Sequence, residues 1–260
     1  MKEIAKISVL TRLLVLTLFS CVIWAEEKTF LPPQTKSLSL PTKYLPTPDY
    51  EFIKIKGIEI LLSPKIVQDK KLKTKTIKRL SVQIASARRL LPNLKLAILK
   101  PIRIWVELDI KPMGYARYHA YQEWLFENDY NPDKYGGIEI TNLHNYLNWS
   151  SKDPLVSSVL IHELSHAFYH QLEQNQKDQV SLAYNSAIKQ KLYRNIYRLG
   201  TEQHGKPVTM NRAWALEDEW EYFSELSEAI FAKNDYFPHT AKELEKYDPK
   251  GYSLIKSLWK

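Results

Sequence analysis

The residues with the clearest chemistry lie in a five-residue segment near the middle of the chain. His162 and His166 are four positions apart, and Glu163 directly follows the first of them. Residues four apart on a helix lie one turn apart on the same face, so the two imidazoles can bind one Zn²⁺ at about 2.0–2.1 Å. Glu163 projects beside that face, where its carboxylate can take a proton from a metal-bound water and pass it to a leaving amine. The segment therefore predicts His162 and His166 as zinc ligands and Glu163 as the general base.

A catalytic zinc needs a third protein ligand as well as an open position for water. Tyr169 and Leu172 occupy the positions at which a longer motif would carry Gly and a third His, so that class of site is excluded. His170 lies one turn beyond His166. Because three successive turns of a helix do not easily surround one ion, we expect His170 at the surface.

A later acidic segment offers the missing ligand. Glu221, Glu225 and Glu228 share one face of a helix predicted over residues 217–232, and its apolar side chains lie on another face. We expect Glu221 to bind the metal and Glu225 to orient a ligating histidine. The spacing alone also allows the reverse assignment of these two glutamates.

Together the two segments resemble the active site of a Glu-zincin (gluzincin) metallopeptidase. The run Glu221-Tyr222-Phe223-Ser224-Glu225 is similar to the E-[FY]-F-[AS]-E segment of the anthrax-lethal-factor-type catalytic domain. Residues 234–238 and 247–252 resemble motifs of a group of bacterial exported proteins with the same HExxH pattern. The similarity covers residues 50–260. It implies a zincin-like metallopeptidase fold and Glu221 as the third zinc ligand, and it names no substrate.

One position departs from the pattern that the resemblance implies. In both groups a Tyr stands seven residues before the ligand Glu and is thought to bind the oxyanion of the transition state, whereas this chain has Trp214. An indole N–H can donate a hydrogen bond but has no acidic proton. Trp214 is therefore the candidate catalytic donor here. His119, Tyr118 and His204 are alternative donors, and a weak or inactive enzyme is the remaining interpretation.

The elements that must position these residues are predicted from apolar spacing and from turn residues. The active-site helix is expected over residues 154–171, starting at Asp153 and Pro154. The other predictions are strands on both sides of Gly57, a helix after Pro64, a half-buried strand over 102–108, a strand over 136–140, a helix over 142–149, strands near 193–198 and 207–214, and helices over 178–191, 217–232 and 250–259. Mixed strands and helices in this order indicate an α+β fold with a small mixed sheet. We expect residues 136–140 to form the edge strand that binds substrate.

The N-terminal composition predicts an exported protein. Residues 1–25 have a basic start, an apolar run and a small residue before two acids, as in a secretory signal peptide. Alternatives are a retained membrane anchor and lipidation at Cys21, the only cysteine. Residues 26–49 are rich in proline and indicate a linker, and residues 50–260 are the predicted metallopeptidase domain. Cleavage after Ala25 leaves 34 basic and 28 acidic residues, so the net charge falls from +8 to +6.

These features favour a secreted or periplasmic zinc endopeptidase acting on a peptide or protein. The alternative is an inactive or weak zinc-binding protein that recognises a peptide or envelope partner, a hypothesis motivated by Trp214. A third hypothesis assigns the basic residues 65–79 to an anionic lipid or polysaccharide surface. Because no aromatic interleaving or nucleic-acid motif accompanies that charge, we expect no nucleic-acid partner.

Overall fold

The computed structural model describes residues 43–92, 101–110, 114–151, 158–203 and 206–260. Residues Pro41–Lys260 form one compact unit. The predicted signal peptide, Asp153 and Pro154 all lie outside the described residues. In the part of the chain that is described, no helix combines the length and the apolar character needed to cross a bilayer.

The described residues form a mixed α+β structure, which confirms the predicted class. The elements in chain order are β1 (Glu51–Ile55), β2 (Ile58–Leu62), α1 (Pro64–Gln68), α2 (Lys70–Leu90), β3 (Ile104–Val106), β4 (Arg117–Tyr118), α3 (Gln122–Glu127), β5 (Ile138–Ile140), α4 (Leu143–Trp149), α5 (Ser158–His170), α6 (Gln174–Lys189), β6 (Arg194–Gln203), β7 (Lys206–Arg212), α7 (Glu219–Phe231), α8 (Ala241–Tyr247) and α9 (Pro249–Leu258). The short elements β4, α3 and α8 were not predicted, because two to seven residues are too few for a clear apolar period.

Local signals explain how the first elements begin and end. Lys56 and Gly57 both have positive φ angles, of 48° and 88°. This is the two-residue turn that matches the twist of an antiparallel hairpin, so β1 and β2 pair directly. The predicted helix after Pro64 is two helices, because Asp69 accepts hydrogen bonds from the backbone N–H groups of Lys71 and Leu72 and so starts α2.

The five-stranded sheet has the order β1-β2-β3-β5-β4. The prediction that residues 136–140 form an edge strand is therefore wrong. Strand β5 pairs in parallel with β3 on one side and antiparallel with β4 on the other. Strand β4 is the edge on that side of the sheet, and it packs against α5.

Both faces of the sheet are covered. Ile104 and Val106 of β3 point into the main core, while Trp105 points to the opposite face and is also fully buried. The prediction of a half-buried strand is wrong, since Glu107 is buried as well. Tyr50 packs edge-on against Trp105 with ring centroids 5.0 Å apart.

The face of the sheet to which Trp105 points holds a group of buried polar side chains. We term it the sheet cluster, and it consists of Tyr50, Glu107, His119, Lys134 and Glu139. The Lys134 ammonium contacts the Glu107 carboxylate at 2.8 Å and the Glu139 carboxylate at 2.5 Å. The Tyr50 hydroxyl donates to Glu107, and His119 Nε2 lies 2.8 Å from Glu139 Oε2. The cluster therefore contains its own cation and is closed to solvent.

The described end of the predicted linker contacts this region of the domain. The Asn131 side-chain amide donates to the Leu45 carbonyl and to the Thr47 hydroxyl, both at 3.0 Å. The Leu45 side chain packs against the cluster around Trp105. The compact unit accordingly begins at Pro41, ahead of residue 50.

Candidate metal centre

Two helices far apart in sequence, α5 and α7, form the candidate site. Helix α7 begins at Glu219 because the Asp218 side chain accepts hydrogen bonds from the N–H groups of Trp220 and Glu221, at 3.0 and 2.8 Å. Contacts between His162 and Glu228 and between His166 and Ser224 show that the helices run antiparallel. A step of one turn along α5 is therefore matched by a step of one turn back along α7.

Three potential ligand atoms converge between these helices. His162 Nε2 lies 3.1 Å from His166 Nε2 and 3.1 Å from Glu221 Oε2, and the distance from His166 Nε2 to Glu221 Oε2 is 3.5 Å. Ligand atoms about 2.05 Å from one tetrahedral ion lie about 3.3 Å from one another. The separations of these nitrogen and oxygen atoms therefore fit a single zinc ion, with the donor types that zinc prefers.

The other ring nitrogen of each histidine also contacts α7. His166 Nδ1 lies 3.0 Å from the Ser224 hydroxyl, and His162 Nδ1 lies 3.2 Å from Glu228 Oε2. Glu225, which we expected to orient a ligating histidine, is farther away, with its Oε1 3.8 Å from His162 Nδ1. Glu228 is therefore the carboxylate nearer to His162 Nδ1, and Glu225 instead accepts a hydrogen bond from Asn234 at 3.0 Å.

The electrostatics of the cluster reflect this dense packing of opposite charges. Burial alone would lower the pKa of His162, but hydrogen bonds to Glu221 and Glu228 outweigh burial and hold that pKa well above its ordinary value. Burial would raise the pKa of Glu221, and the two histidines hold it far below its ordinary range instead. Burial, followed by the carboxylates of Asp235 and Glu228, raises the pKa of Glu225 well above its usual range.

A cavity of about 650 Å³ opens beside the histidine pair. His162 and Glu163 line it, and the Glu163 side chain is largely buried. Trp214 lies in a 3₁₀ turn, remains 50% exposed and lines the same cavity. The candidate base and the candidate hydrogen-bond donor thus face one space.

Two of the three alternative donors suggested by the sequence, His119 and Tyr118, are not among the described residues that line this cavity. His119 belongs to the sheet cluster, where its ring is buried against Glu139. Tyr118 packs instead on the His170 ring, with centroids 5.8 Å apart. His204 lies outside the described residues.

His170 is not the surface residue that we expected. Its ring packs against Tyr121 and Trp220, with centroids 5.5 and 5.3 Å away, and its Nε2 is buried with no hydrogen-bond partner among the described residues. Burial, together with the positive charges of His166 and Lys177, lowers the pKa of His170 to about 4.

Part of the basic stretch over residues 65–79 is engaged within the fold. Lys73 pairs with Glu51 at 2.6 Å, and the Arg79 guanidinium donates to the Ser150 carbonyl at 2.8 Å. Lys65 lies 3.6 Å from Asp109. These contacts favour a structural role for three of the seven cations over a dedicated anion-binding surface.

Several residues of the cavity wall were missed by the sequence analysis: Tyr115, Trp149, Arg198, Asp235 and Tyr236. The Arg198 guanidinium donates to Asp235 at 2.8 Å, and it lies over the rings of Tyr236 and Trp149. Asp235 and Tyr236 belong to the segment 234–238 that carried part of the resemblance, which was the available signal. No local pattern pointed to Arg198, because β6 meets this segment only in the folded chain.

The second resembling segment has a packing role. Asp248 caps α9 by accepting from the Gly251 N–H at 2.9 Å, and the hydroxyls of Tyr222 and Tyr193 donate to the same carboxylate. A Cβ at Gly251 would collide with Tyr222 and Asp248. This segment therefore holds α9 closely against α7, the helix that carries Glu221.

Comparison with protein-family models, with curated proteins and with solved structures found no match to this chain.

Proposed function

We propose that this chain is a zinc-dependent endopeptidase with a zincin-like fold of the gluzincin type, acting on peptides or proteins outside the cytoplasm. The observation that carries the proposal is the convergence of His162, His166 and Glu221 beside a cavity that Glu163 also lines. A peptidase zinc site has as ligands two histidines one helical turn apart and a glutamate from a second helix. A further glutamate beside the first histidine acts as the general base.

His162, His166 and Glu221 would hold the ion. Zinc, when bound, would polarise the scissile carbonyl and lower the pKa of water at the site. The Glu163 carboxylate would take a proton from the attacking water and return it to the nitrogen of the leaving amine. Glu228 at His162 Nδ1 and Ser224 at His166 Nδ1 would keep both Nε2 atoms turned toward the ion.

Strand β4 is suited to hold the substrate backbone. The Thr141 N–H donates to the Tyr115 carbonyl and the His119 N–H donates to the Gly137 carbonyl, so these alternate residues face β5. In an antiparallel pair the backbone groups of the intervening residues, Ala116 and Tyr118, point the other way. An extended peptide would add to this edge by strand pairing.

Trp214 would donate its indole N–H to the oxyanion that develops on the scissile carbonyl. Its place on the cavity wall with Glu163 supports this role. The Trp214→Phe variant tests it, because phenylalanine retains the aromatic bulk and lacks the N–H. We expect kcat to fall by about 10²–10³-fold, the usual effect of losing one such donor. An unchanged kcat would show that Trp214 lines the cavity without stabilising the oxyanion.

The decisive experiment combines zinc content with digestion of a peptide library. We expect about one zinc per chain and cleavage that is lost, by about 10²–10⁴-fold, in Glu163→Gln with its zinc retained. Glu127→Gln, an exposed glutamate on α3, is the matched control and should behave as the wild type. Stoichiometric zinc without cleavage of any peptide would instead support the zinc-binding protein without activity.

A further inference from the structure

The cavity is larger than the reacting groups require. It measures about 650 Å³, within the range of about 300–1,000 Å³ that is usual for ligand pockets. His162 and Glu163 occupy only one part of its wall. The remainder is formed by residues 114–116, α4, β6, Trp214, α7 and the segment after α7, and it is available for a substrate side chain next to the scissile bond.

That remaining wall is acidic. Glu225, Glu228 and Asp235 line it, and they are only 3%, 4% and 8% exposed. Two basic groups line the described part of the cavity: Arg198, which pairs with Asp235, and His162, whose Nδ1 lies 3.2 Å from Glu228 Oε2. Three carboxylates thus face one guanidinium and one imidazole. Buried carboxylates are costly unless a cation compensates them, so a positive group entering the cavity would be stabilised.

The same wall has aromatic surfaces. Trp149 and Tyr236 place their rings 5.1 and 4.7 Å from the Arg198 guanidinium, and Tyr115 stacks on Trp149 with centroids 5.2 Å apart. Such rings pack against the methylene stem of a lysine or arginine and attract its charged end. An acidic side chain would find Arg198, the arginine among the described residues of the wall, already held by Asp235.

We infer that this cavity is a specificity pocket for a lysine or arginine side chain of the substrate, on the residue adjoining the cleaved bond. The inference rests on the proposed peptidase function and narrows its substrate class. Glu228 and Asp235 supply the charge, Glu225 supplies a carboxyl group that can accept a hydrogen bond, and Tyr115, Trp149 and Tyr236 supply the walls.

The test compares peptides that differ only at that residue, which is lysine in one and norleucine in the other. Both side chains have the same unbranched carbon stem, so the comparison isolates the charge. We expect kcat/KM to be about 10–100-fold higher for the lysine peptide, as for a hydrogen bond to a charged group. Equal values for the two peptides, or a preference for glutamate, would overturn the inference while leaving the peptidase function intact.

Two variants should move this ratio in opposite directions. Asp235→Asn removes a negative charge and frees Arg198, so the preference for lysine should fall. Arg198→Gln removes the opposing cation, so the preference should rise. Glu127→Gln is the control and should not change the ratio. A merely structural role would change the two peptides equally, and such a result for both variants would contradict the inference.

Binding provides a readout that needs no turnover. In the Glu163→Gln protein loaded with zinc, calorimetry should show a lower Kd for the lysine peptide than for the norleucine peptide. Equal Kd values would overturn the inference, whereas the absence of cleavage by the wild type would count against the proposed function instead.

A zinc titration is the last check, because His162, Glu225 and Glu228 can also converge on a cation. A second equivalent of zinc that disappears in Glu225→Gln would assign the cavity to metal and overturn the inference.

Discussion

Two buried clusters of histidine and glutamate in this molecule differ in charge balance and access. The sheet cluster places Glu107, Glu139 and His119 around Lys134, and solvent does not reach them. The cluster between α5 and α7 opens on the cavity, and among the described residues no lysine or arginine pairs with Glu221. The residue types are nearly the same, so residue type alone does not distinguish a site from a structural cluster.

Two buried glutamates, Glu139 and Glu225, have opposite pKa shifts. Burial would raise the pKa of Glu139, but the hydrogen bond from His119 and the charge of Lys134 outweigh burial, and that pKa is lowered. The pKa of Glu225 is raised, because burial acts together with the charges of Asp235 and Glu228. Glu221 is compensated by His162 and His166, and a histidine that binds a metal ion is neutral. The sheet cluster therefore needs no further cation, whereas the cluster between α5 and α7, which opens on the cavity, is suited to bind one.

The largest expected difference is in metal binding. We expect His166→Ala to reduce zinc from about one per chain to near none, because two ligands hold zinc poorly. His119→Ala should retain the zinc and instead lower the free energy of unfolding by about 1–3 kcal/mol, since Glu139 loses a buried hydrogen bond. Elemental analysis and denaturant unfolding measure the two effects. Loss of zinc in His119→Ala would contradict the assignment of the sheet cluster to a purely structural role.

The next effect concerns the cation of the sheet cluster. We expect Lys134→Met to lower the free energy of unfolding by about 3–5 kcal/mol, because Glu107 and Glu139 are left buried without a compensating charge. Urea unfolding measures it, with Lys43→Met, at an exposed ion pair, as the control. A stability unchanged from the wild type would show that this cluster does not need its cation.

A smaller effect separates the two candidate orienting carboxylates. Glu228→Gln should weaken zinc binding by about 10–100-fold, because Glu228 Oε2 is the nearer partner of His162 Nδ1. Glu225→Gln should have a smaller effect, since its amide oxygen can still accept from Asn234. Competition with a chelator measures both affinities. The reverse order would restore the assignment expected from the sequence.

The smallest effect uses His170, a partly buried histidine whose Nε2 is buried and has no hydrogen-bond partner among the described residues. Its pKa of about 4 lies below the ordinary 6.5, so the folded state binds fewer protons than the unfolded state. This contribution to stability is complete above pH 6.5 and is lost as the pH falls to 4. After a discount for the partial exposure of His170, we expect this contribution to the free energy of unfolding to be about 1–2 kcal/mol. His170→Phe should lack this pH dependence, and identical unfolding profiles for the two proteins would contradict the assignment.

Structure that depends on a local pattern was predicted most accurately. The helix that carries His162 and His166, the helix that carries Glu221 and the hairpin at Gly57 all follow from apolar spacing or turn residues. Predictions were wrong where a distant segment decides the environment. Trp105 was expected on a half-buried strand, and it is covered because the chain near Leu45 and Tyr50 folds over it.

The sequence by itself determined that His162 and His166 share a helix face and that Glu163 lies beside them, because helix geometry depends only on separation along the chain. Only the tertiary structure decided that Glu228 meets His162, that β4 is the sheet edge and that Arg198 joins the cavity wall. Each of these depends on the packing of elements distant in sequence: the antiparallel register of α5 and α7, the strand order, and the contact of β6 with the segment after α7. The spacing of residues along the chain therefore indicated the chemistry. Long-range packing decided which side chains contact the two histidines and which residues line the cavity.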